Sequence, residues 1–141
     1  MTKSRTILFG LALLLAGSVA LQAAVPSLVG FWKGPGKGVG FNRGYYNINC
    51  QLTVTDQTGS LFRGSCKSFF VGGNMTYRFT GVINADNTIT LNLSPNTTET
   101  STDSLMFGKY IAPTAKSAAK IEAYGFSINY LDTSTLTLTK K

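Results

Sequence analysis

Apolar and polar residues alternate along most of the chain, and this period-two pattern predicts β-strands with one buried and one solvated face. In the segment NINCQLTVT, every second position is apolar, namely Ile48, Cys50, Leu52 and Val54. Short groups of Gly, Asn, Asp, Thr and Ser, which favour tight turns, separate the alternating segments. The pattern predicts eight strands, at residues 29–37, 45–55, 60–70, 75–84, 88–94, 104–111, 119–130 and 134–140.

Eight sequential strands with short connections are typical of an antiparallel meander that closes on itself. Closure pairs the first strand with the last and leaves no unpaired sheet edge. The sequence therefore predicts an all-β fold, an eight-stranded antiparallel up-and-down β-barrel. The interior of a barrel of this size is either filled by side chains or holds one small ligand.

The turn between the second and third predicted strands sets their pairing. A three-residue loop at Gln57–Gly59, with its glycine in the left-handed conformation, places Cys50 opposite Cys66. Directly opposed strand residues have Cα separations near those of disulfides, and an exported chain meets an oxidising compartment. We therefore expect a disulfide between Cys50 and Cys66, although a hydrogen-bonded pair holds its side chains farther apart than the alternate pairs do.

Two further turns predict the pairing of later strands. A loop at Ala85–Asn87 places Ile83 opposite Ile89, with both side chains in the interior. A loop at Leu131–Thr133 places Ile128 in the interior in the same way. We accordingly expect the interior face of the seventh strand to carry Tyr124, Phe126, Ile128 and Tyr130.

The first residues have the pattern of a secretory signal peptide rather than of a strand. Two cations, Lys3 and Arg5, precede an apolar run that ends in small residues, and we place cleavage after Ala24 or just before it. This divides the chain into a signal peptide at residues 1–24 and a single β-barrel domain at residues 25–141. We expect the mature protein to be exported, periplasmic or secreted, and to have no transmembrane span.

The charge of the chain does not indicate a nucleic-acid partner. Removal of Lys3 and Arg5 with the signal peptide lowers the formal charge from +7 to +5, and the remaining cations are scattered. Catalysis has few candidate groups, because the chain has no histidine and most of its six carboxylates lie in predicted turns or in a polar loop. We therefore expect no enzymatic activity, no metal site and no cofactor.

The glycine-rich segment GFWKGPGKGVGFNRGYY, at residues 30–46, could be mistaken for a phosphate-binding loop. Its spacing matches neither the GxxxxGK[ST] loop nor the GxGxxG fingerprint, and no helix is predicted after it. Glycine at every second position instead strips one face of the first strand of side chains, which permits a bend or a close backbone approach. Contact with anionic envelope lipid stays open for its cations, Lys33, Lys37 and Arg43.

Short motifs carry a family resemblance. Gly30-Phe31-Trp32, at the start of the first strand, is similar to a GxW motif, and Phe62-Arg63-Gly64 and Phe79-Thr80-Gly81 are similar to the FTG strands of avidins. The chain thus resembles the calycin superfamily of lipocalins, avidins and fatty-acid-binding proteins. The resemblance implies a lipocalin- or avidin-like barrel in which Trp32 closes one end. In lipocalins an arginine from a late strand lies over this tryptophan. This chain has no late arginine, and only its two C-terminal lysines are available to replace it.

Aromatic residues on the predicted interior face are the candidate ligand contacts. These residues are Trp32, Tyr46, Phe62, Tyr77 and Phe79. The glycines two positions after Phe62 and Phe79 either serve tight packing or leave room for a ligand, and Trp32 is either a plug or a ligand contact. We expect a small hydrophobic or aromatic ligand in the interior of the barrel or at its open end.

The alternative function is that of a protein-interaction module. Calycin-like periplasmic protease inhibitors are similar to this chain in export, in their small barrel and in having one disulfide. On this interpretation the segment Val25–Leu28 or the basic first loop contacts an envelope protein partner.

Overall fold

A computed structural model describes residues 24–95, 103–128 and 131–141, which form one antiparallel sheet. The strands are β1 Gly30–Gly40, β2 Gly44–Thr58, β3 Leu61–Phe70, β4 Gly73–Ile83, β5 Thr88–Pro95, β6 Ser104–Ile111, β7 Lys120–Ser127 and β8 Asp132–Lys140. Each strand pairs with the next along the chain, and β8 pairs with β1 to close the barrel. The predicted eight-stranded antiparallel up-and-down β-barrel is confirmed. Apart from Ala24, the predicted signal peptide lies outside the described residues.

The pairing predicted for β4 and β5 is confirmed. Ile83 lies opposite Ile89, and both side chains are buried in the core. Asn87 has a left-handed backbone, with φ of 67°, as the three-residue loop requires. In the same loop the Asp86 carboxylate accepts a hydrogen bond of 3.0 Å from the backbone N–H of Thr88. Turn chemistry and hydrophobic alternation therefore agree in this hairpin.

The pairing predicted for β2 and β3 is wrong, although the predicted interior faces are right. Gly59 has the expected left-handed backbone, with φ of 58°, but the strands are joined by a two-residue turn and carry a β-bulge between Val54 and Asp56. Beyond the bulge, the pairing is displaced by two residues from the predicted one. Because side chains alternate with a period of two, this displacement leaves every side chain on its predicted face.

The two cysteines are consequently diagonal neighbours rather than directly opposed. Cys66 lies opposite Leu52, and Cys50 lies opposite Ser68. Both are free thiols with their Sγ atoms 3.3 Å apart, whereas a disulfide bond is about 2.05 Å long. The predicted opposition of the cysteines is wrong, and the disulfide based on it is not confirmed.

The pairing predicted for β7 and β8 is displaced by an odd number of residues, which reverses the faces of β7. Ser127 pairs with Asp132, and Leu136 therefore lies opposite Ala123 instead of Ile128. Three of the residues expected in the interior are exposed, to 62% for Tyr124, 42% for Phe126 and 45% for Ile128. The fourth, Tyr130, lies outside the described residues.

Interior volume explains the reversal of β7. The interior positions of this strand carry Ile121, Ala123, Gly125 and Ser127. An eight-stranded barrel has an interior just wide enough for its side chains, and large residues of the neighbouring strands, such as Tyr110 and Leu138, already occupy it. Small residues on β7 fit beside them, whereas a row of aromatic rings would not.

The turn before β8 has a feature that its sequence does not indicate. Leu131 has a left-handed backbone, with φ of 51°, which is uncommon for a residue other than glycine.

Candidate ligand cavity at the open end of the barrel

The two ends of the barrel differ in how they are closed. The segment at residues 24–29 and the β2–β3 and β4–β5 turns form one end, called the plugged end below. The β1–β2, β3–β4 and β7–β8 turns form the other, called the open end. At the plugged end Trp32 is 0% exposed, and its indole Nε1 donates a hydrogen bond of 2.8 Å to the backbone oxygen of Leu28. Trp32 therefore fills this end of the barrel.

A cation covers the indole ring at the plugged end. The Lys140 Nζ lies 5.5 Å from the centre of the Trp32 ring and donates a hydrogen bond to the backbone oxygen of Ser27. On the interior side, the Tyr110 ring meets the indole edge to face at 6.3 Å. Lys140 thus shields the outer face of the indole ring with a cation.

The phenylalanines of the two Phe-x-Gly motifs fill the interior above the plug. The rings of Phe62 and Phe79 meet at 6.0 Å with an angle of 66° between their planes. A Cβ atom at Gly81 would lie 2.6 Å from Phe62 Cζ, and one at Gly64 would meet the backbone oxygen of Thr53 as well as the Phe79 ring, whose Cζ would lie 2.9 Å away. The rings therefore occupy the space that the glycines leave, which is the packing alternative of the two that the sequence left open.

A cavity of about 90 Å³ lies at the open end. Its walls are mainly apolar and include Ile48, Phe70, Met75, Leu93, Met106 and Leu136. Of the five aromatic residues predicted to contact a ligand, Tyr46 and Tyr77 line this cavity. The other three, Trp32, Phe62 and Phe79, belong to the packed core on the plugged side. The structure therefore brings together only part of the predicted site.

The cavity exists because the last two strands carry small interior residues near the open end. Gly125 and Ser127 of β7 and Ser134 of β8 line it, while the aromatic residues of β7 point outward. These residues are not among those predicted from the sequence, because the hydrophobic pattern of β7 placed Phe126 rather than its small neighbours in the interior. The sequence of β7 does show small residues on one face and aromatic residues on the other, but this alternation does not indicate which of the two faces is buried.

The glycines of β1 make room for a polar pair at the mouth of the cavity. A Cβ atom at Gly38 would lie 2.5 Å from Tyr46 Cζ, and one at Gly40 would clash with the Asp132 carboxylate. With glycine at both positions, the Tyr46 hydroxyl donates a hydrogen bond of 2.9 Å to Asp132 Oδ2. The glycine-rich strand thus serves close approach, as its spacing predicted, and the groups that approach it belong to the candidate site.

Arg43 completes this polar cluster. Its Nε lies 3.9 Å from Asp132 Oδ2, and its guanidinium carbon lies 5.0 Å from the centre of the Phe70 ring. Burial raises the pKa of the Tyr46 hydroxyl to about 12, and the hydrogen bond to the Asp132 carboxylate contributes to the rise. Tyr46 is therefore a neutral donor at physiological pH. Asp132, predicted to be an ordinary turn residue, instead begins β8 and is 9% exposed.

Ser127 supplies a second polar group in the cavity wall. Its hydroxyl oxygen is buried, and no other described residue forms a hydrogen bond with it. Leaving a buried hydroxyl without a partner costs about 1–3 kcal/mol, so such groups are uncommon in folded proteins. The hydroxyl is thus positioned to form a hydrogen bond with a molecule in the cavity.

The free thiols lie at the inner part of the cavity. Cys66 lines it, whereas Cys50 is fully buried and is not part of the cavity wall. The Cys66 sulfur also lies 3.9 Å from the hydroxyl of Ser68. A hydrogen bond from the Cys50 thiol and one from Ser68 lower the pKa of Cys66 despite its burial. Donation of that same hydrogen bond, together with burial, raises the pKa of Cys50. Cys66 is therefore the more acidic thiol.

The fold and the cavity together define a class, a small closed antiparallel barrel with one plugged end and a cavity near the opposite end. No protein-family model matches the chain, and neither does any curated protein. Within the described ranges, no helix is long and apolar enough to cross a membrane. The same ranges contain no group of three or more His, Cys, Asp or Glu side chains that could hold a metal ion.

Proposed function

We propose that the protein is an exported, non-enzymatic β-barrel that binds one small aromatic or apolar molecule in the cavity at its open end. The observation that carries the proposal is the buried hydroxyl of Ser127, which stands without a partner among the described residues in an otherwise mainly apolar wall. Binding sites for small molecules commonly combine apolar walls with a few convergent polar groups. Tyr46 and Tyr77 are the ring contacts of this ligand.

The size of the cavity limits the ligand. A volume of about 90 Å³ corresponds to roughly six to nine water-sized groups, at about 10–15 Å³ for each. Sites for drug-sized ligands measure about 300–1,000 Å³. A molecule with the dimensions of phenol fits a cavity of about 90 Å³, whereas a long acyl chain or a haem does not.

The polar groups limit its charge. The Asp132 carboxylate is already engaged by the Tyr46 hydroxyl and faces the Arg43 guanidinium, so the mouth carries a paired anion and cation. A charged ligand would lose hydration without gaining an unpaired counter-ion. We therefore expect a neutral molecule with one hydroxyl or amide group that forms a hydrogen bond with Ser127.

The calycin resemblance supports the same kind of function. Lys140 lies over Trp32 at the plugged end, where lipocalins place an arginine over their tryptophan. In that superfamily the plugged end closes the barrel and the opposite end admits the ligand. The position of the cavity at the end opposite Trp32 supports ligand entry from that side.

Phenol, titrated into the purified mature chain and followed by calorimetry and thermal unfolding, tests the proposal. Phenol should bind the wild-type chain and raise its Tm. The Ser127→Val variant, which fills part of the cavity and removes the hydroxyl, should show no such effect. Thr133→Val is the matched control, because Thr133 is exposed on the outer surface of β8. No binding by the wild-type chain, or equal binding by Ser127→Val, would refute the proposal.

The protein-interaction alternative is tied to the N-terminal segment. Leu28 is buried, and its backbone N–H donates to Gln57 Oε1 at 2.7 Å, whereas Val25 and Val29 are 42% and 43% exposed. An inhibitor that uses this segment would contact its protease through the two exposed valines. Inhibition of a serine, a cysteine and a metalloprotease by the wild-type chain, lost in Val25→Asp and Val29→Asp variants that still bind phenol, would favour this alternative.

A further inference from the structure

We propose that Cys66 is a modification site that small aromatic or apolar disulfides reach through the cavity, and that Cys50 resolves the product into a Cys50–Cys66 disulfide. The inference uses the cavity of the proposed function but does not require that a ligand bind there reversibly.

The arrangement of the thiols supports a fixed order of reaction. Cys66 belongs to the cavity wall, whereas Cys50 is 0% exposed and does not line the cavity. A molecule in the cavity therefore meets the Cys66 sulfur first. The chain contains no third cysteine, so Cys50 is the only thiol available for the second step.

The distance between the sulfurs supports that second step. The Sγ atoms lie 3.3 Å apart on neighbouring strands, and an approach of about 1 Å brings them to bonding distance. Because diagonal neighbours on one face of an antiparallel pair lie farther apart than directly opposed residues, closing the bond also requires β2 and β3 to move slightly towards each other. The hydroxyl of Ser68, 3.9 Å from the Cys66 sulfur, is placed to stabilise a thiolate there.

The chemistry is thiol–disulfide exchange, and its co-reactant is the small disulfide RSSR. The Cys66 thiolate attacks one sulfur of RSSR, the S–S bond breaks, and RS⁻ leaves. Cys50 then loses its proton and attacks the Cys66 sulfur of the mixed disulfide, which expels a second RS⁻. The two protons lost by the cysteines convert the leaving groups to RSH. One RSSR is thus reduced to two RSH while two protein thiols are oxidised to one disulfide.

The acidity of the two thiols agrees with this order. The lowered pKa of Cys66 increases its thiolate fraction, and the raised pKa of Cys50 keeps that residue protonated until the mixed disulfide forms. Once Cys66 is bonded to RS, its sulfur no longer accepts the Cys50 hydrogen bond as a thiolate. Cys50 then loses the interaction that held its proton.

The experiment uses 4,4′-dipyridyl disulfide, because each of its two rings is about the size of phenol, so one ring at a time can enter the cavity, and because it releases a chromophoric pyridinethione at each exchange step. The wild-type chain should release two equivalents and lose two hydrogens in mass. The Cys50→Ser variant should release one equivalent and retain the adduct on Cys66. Cys66→Ser should react at least about ten-fold more slowly, since its remaining thiol, Cys50, is fully buried and does not line the cavity. An adduct on Cys50, or equal rates for the two variants, would overturn the order.

A second set of measurements tests the route and the integrity of the variants. Ser127→Val should slow the reaction of an otherwise wild-type chain, because it narrows the cavity, whereas Thr133→Val should not. If Ser127→Val reacts as fast as the wild-type chain, the route through the cavity is wrong. In denaturant all variants should react alike. If phenol fails to bind but the exchange order holds, the proposed function fails while this inference stands. Alanine variants of both cysteines replace serine variants that do not fold.

Discussion

The β4–β5 and β7–β8 hairpins contain similar alternating sequences but make opposite contributions to the barrel. In β4–β5 the large apolar residues of the alternation face inward, and both Ile83 and Leu91 are nearly inaccessible to solvent. In β7–β8 the aromatic residues of β7 face outward, and the interior face near the open end is built from small residues. Alternation thus identifies a strand without identifying its buried face. The face is selected by the volume that the neighbouring strands leave.

This difference accounts for both unusual features of the molecule. The filled half of the interior lies next to the inward-facing residues of β4–β5, and the cavity lies next to the small residues of β7–β8. On the outer surface, the rings of Phe107 and Tyr124 stack at 5.8 Å, and they are 37% and 62% exposed. The cavity and the exposed aromatic pair are two consequences of one choice of register.

The largest expected effect compares two leucines of β5. Leu91 belongs to the filled half, whereas Leu93 lines the cavity. Leu→Ala at a buried site costs about 2–5 kcal/mol, depending on the cavity it creates. We expect Leu91→Ala to lower the free energy of unfolding by an amount in the upper half of this range, and Leu93→Ala by an amount in the lower half. Denaturant titration measures both free energies of unfolding. Equal losses would contradict the claim that one half of the interior is filled and the other contains a cavity.

A second comparison adds one methyl group to each hairpin. A Cβ atom at Gly81 would lie 2.5 Å from Leu91 Cδ2, whereas one at Gly125 would lie 3.0 Å from Ser134 Oγ, a side chain that can move into the cavity. Overpacking costs about 1–3 kcal/mol, and we expect Gly81→Ala to fall in that range. Gly125→Ala should change the free energy of unfolding by less than about 0.5 kcal/mol. If Gly125→Ala lowers the free energy of unfolding more than Gly81→Ala does, the free space lies beside β4–β5 rather than beside β7–β8, which would contradict this comparison.

The third test concerns the polar pair at the start of β8. Tyr46→Phe removes the hydrogen bond to Asp132, and we expect a loss of about 1–2 kcal/mol at neutral pH. The pKa of Tyr46 is raised to about 12 in the folded protein and is about 10 in an unfolded chain. The stabilisation by Tyr46 is therefore complete below about pH 10 and is lost as the pH rises towards 12.

Denaturant titration at several pH values distinguishes this effect from general alkaline denaturation. The wild-type chain should lose stability between pH 10 and 12 more steeply than Tyr46→Phe, because only the wild type has this tyrosine to titrate. Tyr45→Phe is the matched control, since Tyr45 is 92% exposed. Identical pH profiles for the wild type and Tyr46→Phe would show that the pKa of Tyr46 does not differ between the folded and unfolded protein, and would contradict the interaction with Asp132.

Ser127→Ala should have a smaller effect of the opposite sign. The substitution removes a buried hydroxyl that has no partner among the described residues, so we expect the ligand-free chain to be stabilised by up to about 1 kcal/mol. Ser134→Ala is the neighbouring control in the same cavity. A loss of more than about 1 kcal/mol in Ser127→Ala would show that the hydroxyl takes part in an essential hydrogen bond.

The smallest expected effect is on the outer surface of β7. Tyr124→Thr should cost about 0.5 kcal/mol, the usual value of an exposed cross-strand pair, through loss of stacking on Phe107. Tyr77→Thr, at a buried interior position of β4, should cost several times more. If Tyr124→Thr proves as damaging as Tyr77→Thr, the faces of β7 are assigned wrongly.

The candidate site was predictable only in part. Tyr46 and Tyr77 were identified as interior residues by alternation alone, and both line the cavity. Asp132 was missed because an aspartate beside a turn has an ordinary local explanation, and its partner Tyr46 is distant in sequence. Ser127 was missed because its neighbour Phe126 is the more hydrophobic residue, and local hydrophobicity favours the wrong face.

The sequence by itself determined the number of strands, their order and the closure of the barrel, and it left the role of the Phe-x-Gly glycines for the structure to decide. These properties follow from period-two alternation and turn chemistry, which act over a few residues. Tertiary structure alone decided the diagonal placement of the cysteines, the outward face of the β7 aromatics and the cavity beside Ser127. A bulge or a turn of different length shifts the register, and whether the shift is even or odd depends on the space inside the closed barrel.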